Sequence, residues 1–268
     1  MHEHAYKSRR GDVHYWISED FDTARRTLVF LHGLTADHTL FDKQLPCFAA
    51  DNNLIVWDAP AHGLSRPYAD FTYANAAADL KQILCDNGVD FAVMVGQSMG
   101  GYVVQSFLLR YPNMVQAFVG IDTCPYGAHY YSKSDKWWLR QIEWMSKLYP
   151  TGFLKKSIAK QCTNTEYACQ NMLTALSPYG KSELCHLMGI GLAGFLEDNR
   201  DMEILCPLLI LCGEHDRTGK VKSYCRSWAK ATGAPLVMIK GAAHNANADN
   251  PEQVNAEIKN FLDNQSSP

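Results

Sequence analysis

No stretch of this 268-residue chain stays apolar over the ~20 residues that a membrane-spanning helix needs. The opening residues, MHEHAYKSRR, are polar and charged and lack the apolar centre of a secretory signal. Basic charge is not in excess either. Lys and Arg number 25 against 28 Asp and Glu, for a net charge of −3 and a pI near 6.3. That balance leaves no footprint for nucleic acid and no polybasic patch for a membrane surface. The nine cysteines (Cys47, Cys85, Cys124, Cys162, Cys169, Cys185, Cys206, Cys212 and Cys225) are odd in number and include no C-x-x-C pair. Most lie in apolar segments, as Cys206 and Cys212 do, so they read as small buried hydrophobes in a reducing compartment rather than as disulfides or metal ligands. Gly96 to Gly101 is glycine-rich but lacks the G-x-G-x-x-G spacing that cradles phosphates, and no cofactor motif or metal-ligand cluster stands out. His2 and His4 belong to a polar terminus, and no internal repeat is visible. These absences leave a cytoplasmic protein that acts on a small molecule without cofactor or metal. It forms one large domain, or one domain with an insertion, and its oligomeric state is not legible.

What is present centres on Phe91 to Tyr111, FAVMVGQSMGGYVVQSFLLRY. Phe91 to Val95 has the length and composition of a buried strand, and Gly101 to Tyr111 the apolar period of a helix. Between them lies Gly96-Gln97-Ser98-Met99-Gly100. A serine at the apex of such a turn is strained, and glycines two before and two after it remove the Cβ atoms that would block the reversal. The hydroxyl is then pushed out above the sheet, where the first turn of the helix presents unpaired N–H groups, that of Met99 among them.

Along the chain, Val13 to Ser18 reads as a strand reached through a Gly11-Asp12 turn, with a partner arm near Ala5 to Arg9. Leu28 to Leu31 is a buried strand leading into His32-Gly33-Leu34-Thr35, where the Leu34 N–H is a second candidate oxyanion donor. Phe41 to Ala50 reads as a helix and Leu54 to Trp57 as a strand. The next loop, Asp58 to Ser65, holds Asp58 and His62 among Pro and Gly, and reads as scaffold fixed by side-chain hydrogen bonds. A helix over Tyr73 to Asn87 closes at Gly88. Strands follow at Val115 to Ile121, Pro207 to Cys212 and Pro235 to Lys240, with helices at Gly219 to Thr232 and from Asn250-Pro251-Glu252 onward, and a frayed tail over Asn264 to Pro268. Alternating strands and helices of this kind specify a mostly parallel α/β sheet. Between Thr123 and Arg200 the strand signal stops. That stretch is helical in pattern, rich in aromatics including Trp137, Trp138 and Trp144, and divided by breakers at 150–152 and 177–180 into about four helices. The expected organisation is a core of 1–122 and 201–268 with an all-helical cap over 123–200, its tryptophans lining a substrate cavity.

Ser98, Asp216 and His244 each follow a buried strand. A serine nucleophile needs a base, and the base a carboxylate to orient it. Asp122, also at a strand end, is the competing carboxylate, set aside because Asp216 sits in Gly213-Glu214-His215-Asp216. From His32-Gly33-Leu34 through Gly96-Gln97-Ser98-Met99-Gly100-Gly101 and Gly213-Glu214-His215-Asp216 to His244, the chain resembles the α/β-hydrolase fold family over nearly its whole length. The resemblance implies Ser98 as nucleophile, His244 as general base and acid, Asp216 as orienting carboxylate, and Leu34 and Met99 as oxyanion donors. Serine at position 98 disfavours the members with an aspartate nucleophile, the haloalkane dehalogenases and most epoxide hydrolases. The expected activity is hydrolysis of a carboxylic ester, lactone or thioester of a small apolar or aromatic substrate. A carbon–carbon bond hydrolase of the meta-cleavage-product type and a ligand receptor with a retained triad are the alternatives.

Overall fold

In a computed structural model, residues 1–265 are described, and the frayed tail expected at the C-terminus falls largely outside them. The chain begins with β1 (His2–Ser8) and β2 (Gly11–Ile17), the expected hairpin, followed by β3 (Thr27–Leu31). The helix expected over Phe41 to Ala50 is broken. A single 3-10 turn spans His38–Phe41, capped by the Asp37 carboxylate, and a short α1 spans Leu45–Phe48. Pro46 accounts for the break, since proline is tolerated only in a helix's first turn. Next come β4 (Asn53–Trp57), α2 (Tyr73–Asp86), β5 (Ala92–Gln97), α3 (Met99–Arg110) and β6 (Val115–Ile121). Five helices follow without a strand: α4 (Lys133–Ser146), α5 (Thr151–Cys162), α6 (Glu166–Leu176), α7 (Lys181–Ala193) and the single turn α8 (Phe195–Asp198). Two breakers fall where expected, while the break between α5 and α6 at Thr163-Asn164-Thr165 carries neither Gly nor Pro. The chain closes with β7 (Leu208–Gly213), α9 (Val221–Thr232), β8 (Leu236–Ile239), α10 (Ala246–Asp249) and α11 (Pro251–Asn264).

The eight strands form one sheet in the order β1-β2-β4-β3-β5-β6-β7-β8. The β1–β2 and β2–β4 pairs are antiparallel and the remaining pairs parallel. Strands β3, β4, β5 and β7 are buried on both faces, as their apolar runs require, β6 exposes only Gln116, and apolar cores lie on each side of the sheet. Because β3, β5, β6, β7 and β8 run in parallel, the residues after their C-terminal ends gather along one edge, where parallel sheets bind ligands. The helices between β6 and β7 reach that edge. Leu154, Met172, Leu176, Leu184 and Leu187 belong to the same buried cluster as Leu28, Val95 and Leu211 of the strands, so these helices are packed into the core rather than hung beside it. Among the described residues no helix is long and apolar enough to cross a membrane.

Candidate active site

The turn after β5 carries the strain its sequence implies. Ser98 has φ 49° and ψ −114°, outside the ordinary regions for a residue with a side chain. Its backbone is held from three directions: its N–H donates to Ile121 O at 2.8 Å, and its carbonyl accepts from the Thr123 hydroxyl at 2.7 Å and from Gly101 N at 2.9 Å. Glycine is needed on both sides. A Cβ at Gly96 would lie 2.7 Å from the Gly100 carbonyl carbon, and one at Gly100 would collide with the Leu31 carbonyl oxygen. Close approach of α3 to β3 and β5 thus sets the angle at which the serine projects.

Three chain segments meet at that hydroxyl. His244 Nε2 lies 2.8 Å from Ser98 Oγ, and His244 Nδ1 lies 2.9 Å from Asp216 Oδ2. With a carboxylate on one side and a hydroxyl on the other, the neutral ring donates from Nδ1 and accepts at Nε2. Asp216 is held in turn by the Thr218 N–H at 2.7 Å. Burial disfavours the charged imidazolium, but the Asp216 charge and hydrogen bond, with Asp122 nearby, outweigh it and raise the His244 pKa. Burial would lift the Asp216 pKa, yet the attraction of His244 leaves it below the ordinary carboxylate value.

Asp122 lies behind this pair. Its oxygens accept from Gly213 N at 2.6 Å and Ala246 N at 3.2 Å, stitching β7 to the turn after β8. Complete burial, together with Cys212 and Asp216, raises its pKa well above the carboxylate range. The donor atoms of Asp122, Asp216 and His244 lie within 4.8 Å of one another, a spacing a metal ion could use. Both His244 nitrogens and the Asp122 oxygens are already engaged, however, and no free donor set converges on one point.

Among the described residues, the N–H groups of Leu34 and Met99 take part in none of the backbone hydrogen bonds of the turns and loops. The loop carrying Leu34 is fixed by neighbours sequence reasoning read only in part. Asp58 accepts from His38 N at 2.8 Å, His38 Nδ1 at 2.7 Å and Leu64 N at 2.7 Å. His32 accepts from Ala59 N at 2.9 Å, and the other side of its ring lies 2.8 Å from Gly33 O. Burial drives the His62 pKa down to about 3, and its Nδ1 meets Pro60 O at 2.9 Å. Asp58 and His62 therefore hold backbone, as their loop context implies. Glu214 and His215 are exposed.

Above Ser98 lies a cavity of about 150 Å³. Leu34, Ala36, Ile158, Cys162, Met172, Met188 and Leu192 form its apolar wall, and Thr35, Gln97, Gln161, Thr218 and Asn245 supply uncharged polar groups. Among the described residues no Lys or Arg lines it. Burial pushes the Cys162 thiol up to about 12, which leaves it neutral. The expected lining by Trp137, Trp138 and Trp144 is not observed. All three are more than half exposed on α4, because that helix turns its opposite face, with Leu139 and Ser146, toward the protein. The actual wall comes from α5, α6 and α7. Its available signal was the sequence of α7, apolar on most faces. Gln97 was also missed: its side-chain amide donates to His244 O at 2.8 Å, and a Cβ at Gly33 would strike its Oε1, so it braces the histidine loop against the Leu34 loop.

Comparisons with known proteins agree with this architecture. The chain is similar to the sn-1-specific diacylglycerol lipase ABHD11 of Mus musculus, 32% identical over 110 residues, which cover 40% of this chain and 36% of that protein. It is also similar to the 2-(acetamidomethylene)succinate hydrolase of Mesorhizobium japonicum, 23% identical across 93% of this chain and 96% of the relative. A thermophilic esterase from Thermogutta terrifontis superimposes with a TM-score of 0.80 at 20% identity, each chain covered in full. The model of the alpha/beta hydrolase fold matches residues 26–166, more than half of the sequence and inclusive of the strained serine turn. With that match and an eight-stranded sheet of the corresponding kind, this chain belongs to the alpha/beta hydrolase fold family.

Proposed function

We propose that the protein is a serine hydrolase that cleaves a carboxylic ester, lactone or thioester through an acyl-enzyme on Ser98. The observation that carries this reading is the relay from Ser98 Oγ through His244 to Asp216, at 2.8 and 2.9 Å, beneath an apolar cavity. Ser98 Oγ attacks the substrate carbonyl while His244 Nε2 takes its proton, and the Asp216 carboxylate stabilises the imidazolium. The carbonyl oxygen, now an anion, is received by the N–H groups of Leu34 and Met99, each worth about 3 kcal/mol of barrier. His244 returns the proton to the leaving alcohol as the tetrahedral adduct collapses. Water, deprotonated by the same imidazole, then attacks the acyl carbonyl, and the acyl–Oγ bond breaks as His244 returns the proton to Ser98 Oγ, releasing the acid. The helices over 123–200 act as the cap that shapes the acyl pocket, and the thiol-rich composition fits a cytoplasmic setting.

The cavity wall bears on the substrate. Vinylogous diketo acids and dicarboxylates present carboxylates that need a cationic partner when desolvated. This wall offers none, which favours a neutral acyl group over the substrates of carbon–carbon hydrolysis. Labelling with a serine-directed fluorophosphonate, wild type against Ser98→Ala, tests the nucleophile. A series of p-nitrophenyl esters then tests the pocket, with turnover expected to peak at short acyl chains. Labelling without ester turnover would move the reading to carbon–carbon hydrolysis or to a receptor. No labelling at all would refute it.

A further inference from the structure

The three tryptophans displaced from the cavity lie on a surface of unusual composition. Trp137, Trp138 and Trp144 are 53–54% exposed, and Leu148, Tyr149 and Phe153, in the same stretch, are exposed by 45–70%. A soluble surface seldom leaves so many large apolar groups contiguous in sequence without use for them. Trp137, Gln141 and Trp144 follow at intervals of four and three, so they share one face of α4, and the Trp144 indole N–H donates to Gln141 Oε1 at 2.8 Å. Basic residues are concentrated in the same segment of the chain. Residues 133–160 hold seven Lys or Arg against two Asp or Glu, so the even balance of the whole chain, which spoke against a basic surface for a membrane, conceals a segment with a local excess of five positive charges. Both acids are already paired, Asp135 with Lys220 at 2.8 Å and Glu143 with Lys147 at 2.9 Å. The side chains of Lys133, Arg140, Lys156 and Lys160 enter no ion pair or hydrogen bond among the described residues.

We propose that this face of α4 and α5 docks on an anionic phospholipid surface. Indole and phenol rings settle at the boundary between headgroups and acyl chains, and long basic side chains lay their stems along the apolar zone while their charges meet phosphate. Charge decides the occupant. Two copies of a face bearing the unpaired Lys133, Arg140, Lys156 and Lys160 would repel across a two-fold interface, whereas an anionic bilayer attracts each basic group. The same helix connects the surface to the site: α5 exposes Phe153, Lys156 and Lys160 outward and contributes Ile158 and Cys162 to the wall above Ser98. Gln161 lines that cavity and is itself exposed, so the cavity opens beside Lys160.

Docking is read independently of catalysis by sedimentation with vesicles of phosphatidylcholine alone and of an equimolar phosphatidylcholine–phosphatidylglycerol mixture. Wild type and Ser98→Ala are expected to partition equally onto the anionic vesicles, with a blue shift of tryptophan fluorescence and release at high salt. Trp137→Ala combined with Trp144→Ala, and separately Lys156→Glu combined with Lys160→Glu, should each weaken partitioning on the order of tenfold. Phe91→Ala with Leu205→Ala, two exposed apolar residues elsewhere, should leave it unchanged. All four patch side chains are exposed, so these variants should fold. Equal affinity for neutral vesicles, no binding at low salt, or binding indifferent to the patch substitutions would each overturn the proposal. So would a dimer that the tryptophan substitutions dissolve, since the face would then belong to a second copy of the chain.

Discussion

Ser98 and His244 carry the sharpest expectations at the scale of single residues. Replacing Ser98 with Ala removes the attacking oxygen and should lower kcat on the order of a million-fold with little change in substrate binding. Single-turnover kinetics with a chromogenic ester and equilibrium binding of a substrate analogue check both parts. The base sets the pH profile. Catalysis needs neutral His244, and its pKa is raised above the ordinary value of about 6.5. Activity should therefore fall as pH drops through a midpoint above that value, a more alkaline limb than an unperturbed histidine would give. A kcat/KM profile on the free enzyme measures it, and a limb at or below the ordinary value would count against the Asp216 contact.

At the scale of elements, the catalytic loops depend on side chains that do no chemistry. Asp249, at the end of α10, accepts from Asn164 N, Thr165 N and Thr165 Oγ1 at 2.8–2.9 Å, and from Ala243 N at 2.9 Å. It therefore holds Thr165, the residue whose hydroxyl caps α6, and fixes the residue before His244 at once. Asp249→Ala should cost about 2 kcal/mol of stability. It should also lower kcat more than it raises KM, because the histidine is displaced while the cavity remains. Chemical denaturation and steady-state kinetics on one preparation separate the two effects. On the cavity wall, Leu192→Trp should shift ester preference toward shorter acyl groups, read as the change in kcat/KM across the ester series.

At the scale of the whole molecule, a partly buried ionic cluster ties α3, packed on the sheet, to the end of the helical stretch between β6 and β7. Asp198, in α8, receives Arg110 through two bonds of 2.7 and 2.9 Å and the Ser106 hydroxyl at 2.6 Å, both partners belonging to α3. Burial would raise the Asp198 pKa, but the Arg110 and Ser106 hydrogen bonds outweigh it and depress the value. A depressed carboxylate pKa stabilises the fold above the unfolded value of about 3.9 and loses that contribution only as pH falls through the lower folded value. Asp198→Ala should thus destabilise by about 2 kcal/mol at neutral pH, and the difference from wild type should shrink in acid. Thermal melts at several pH values check this. A difference independent of pH would mean that the loss is one of packing.

Most strands, the serine turn and the chain order of Ser98, Asp216 and His244 were determined by the sequence alone, because each depends on near neighbours. Apolar runs mark strands buried on both faces, and paired glycines mark the one reversal where α3 must touch β3 and β5. Asp58 and His62 were legible as scaffold for the same reason, since Pro and Gly around them announce a fixed loop. Pro46 split the helix expected at Phe41 to Ala50, a local signal outweighed there by apolar composition. What only the tertiary structure decided was contact between residues far apart in sequence. The tryptophans of α4 could have faced in or out, as aromatic content is the same for a cavity wall and for a surface. The packing of α4 against α7 turned them out and left Met172, Met188 and Leu192 over Ser98. Asp122 and Asp216 both end strands, and it was the turn after β8 that brought His244 to one carboxylate while committing the other to backbone N–H groups. Gln97 and Asp249 could not be singled out in sequence, because their partners lie up to 148 residues away and only the closed fold joins them.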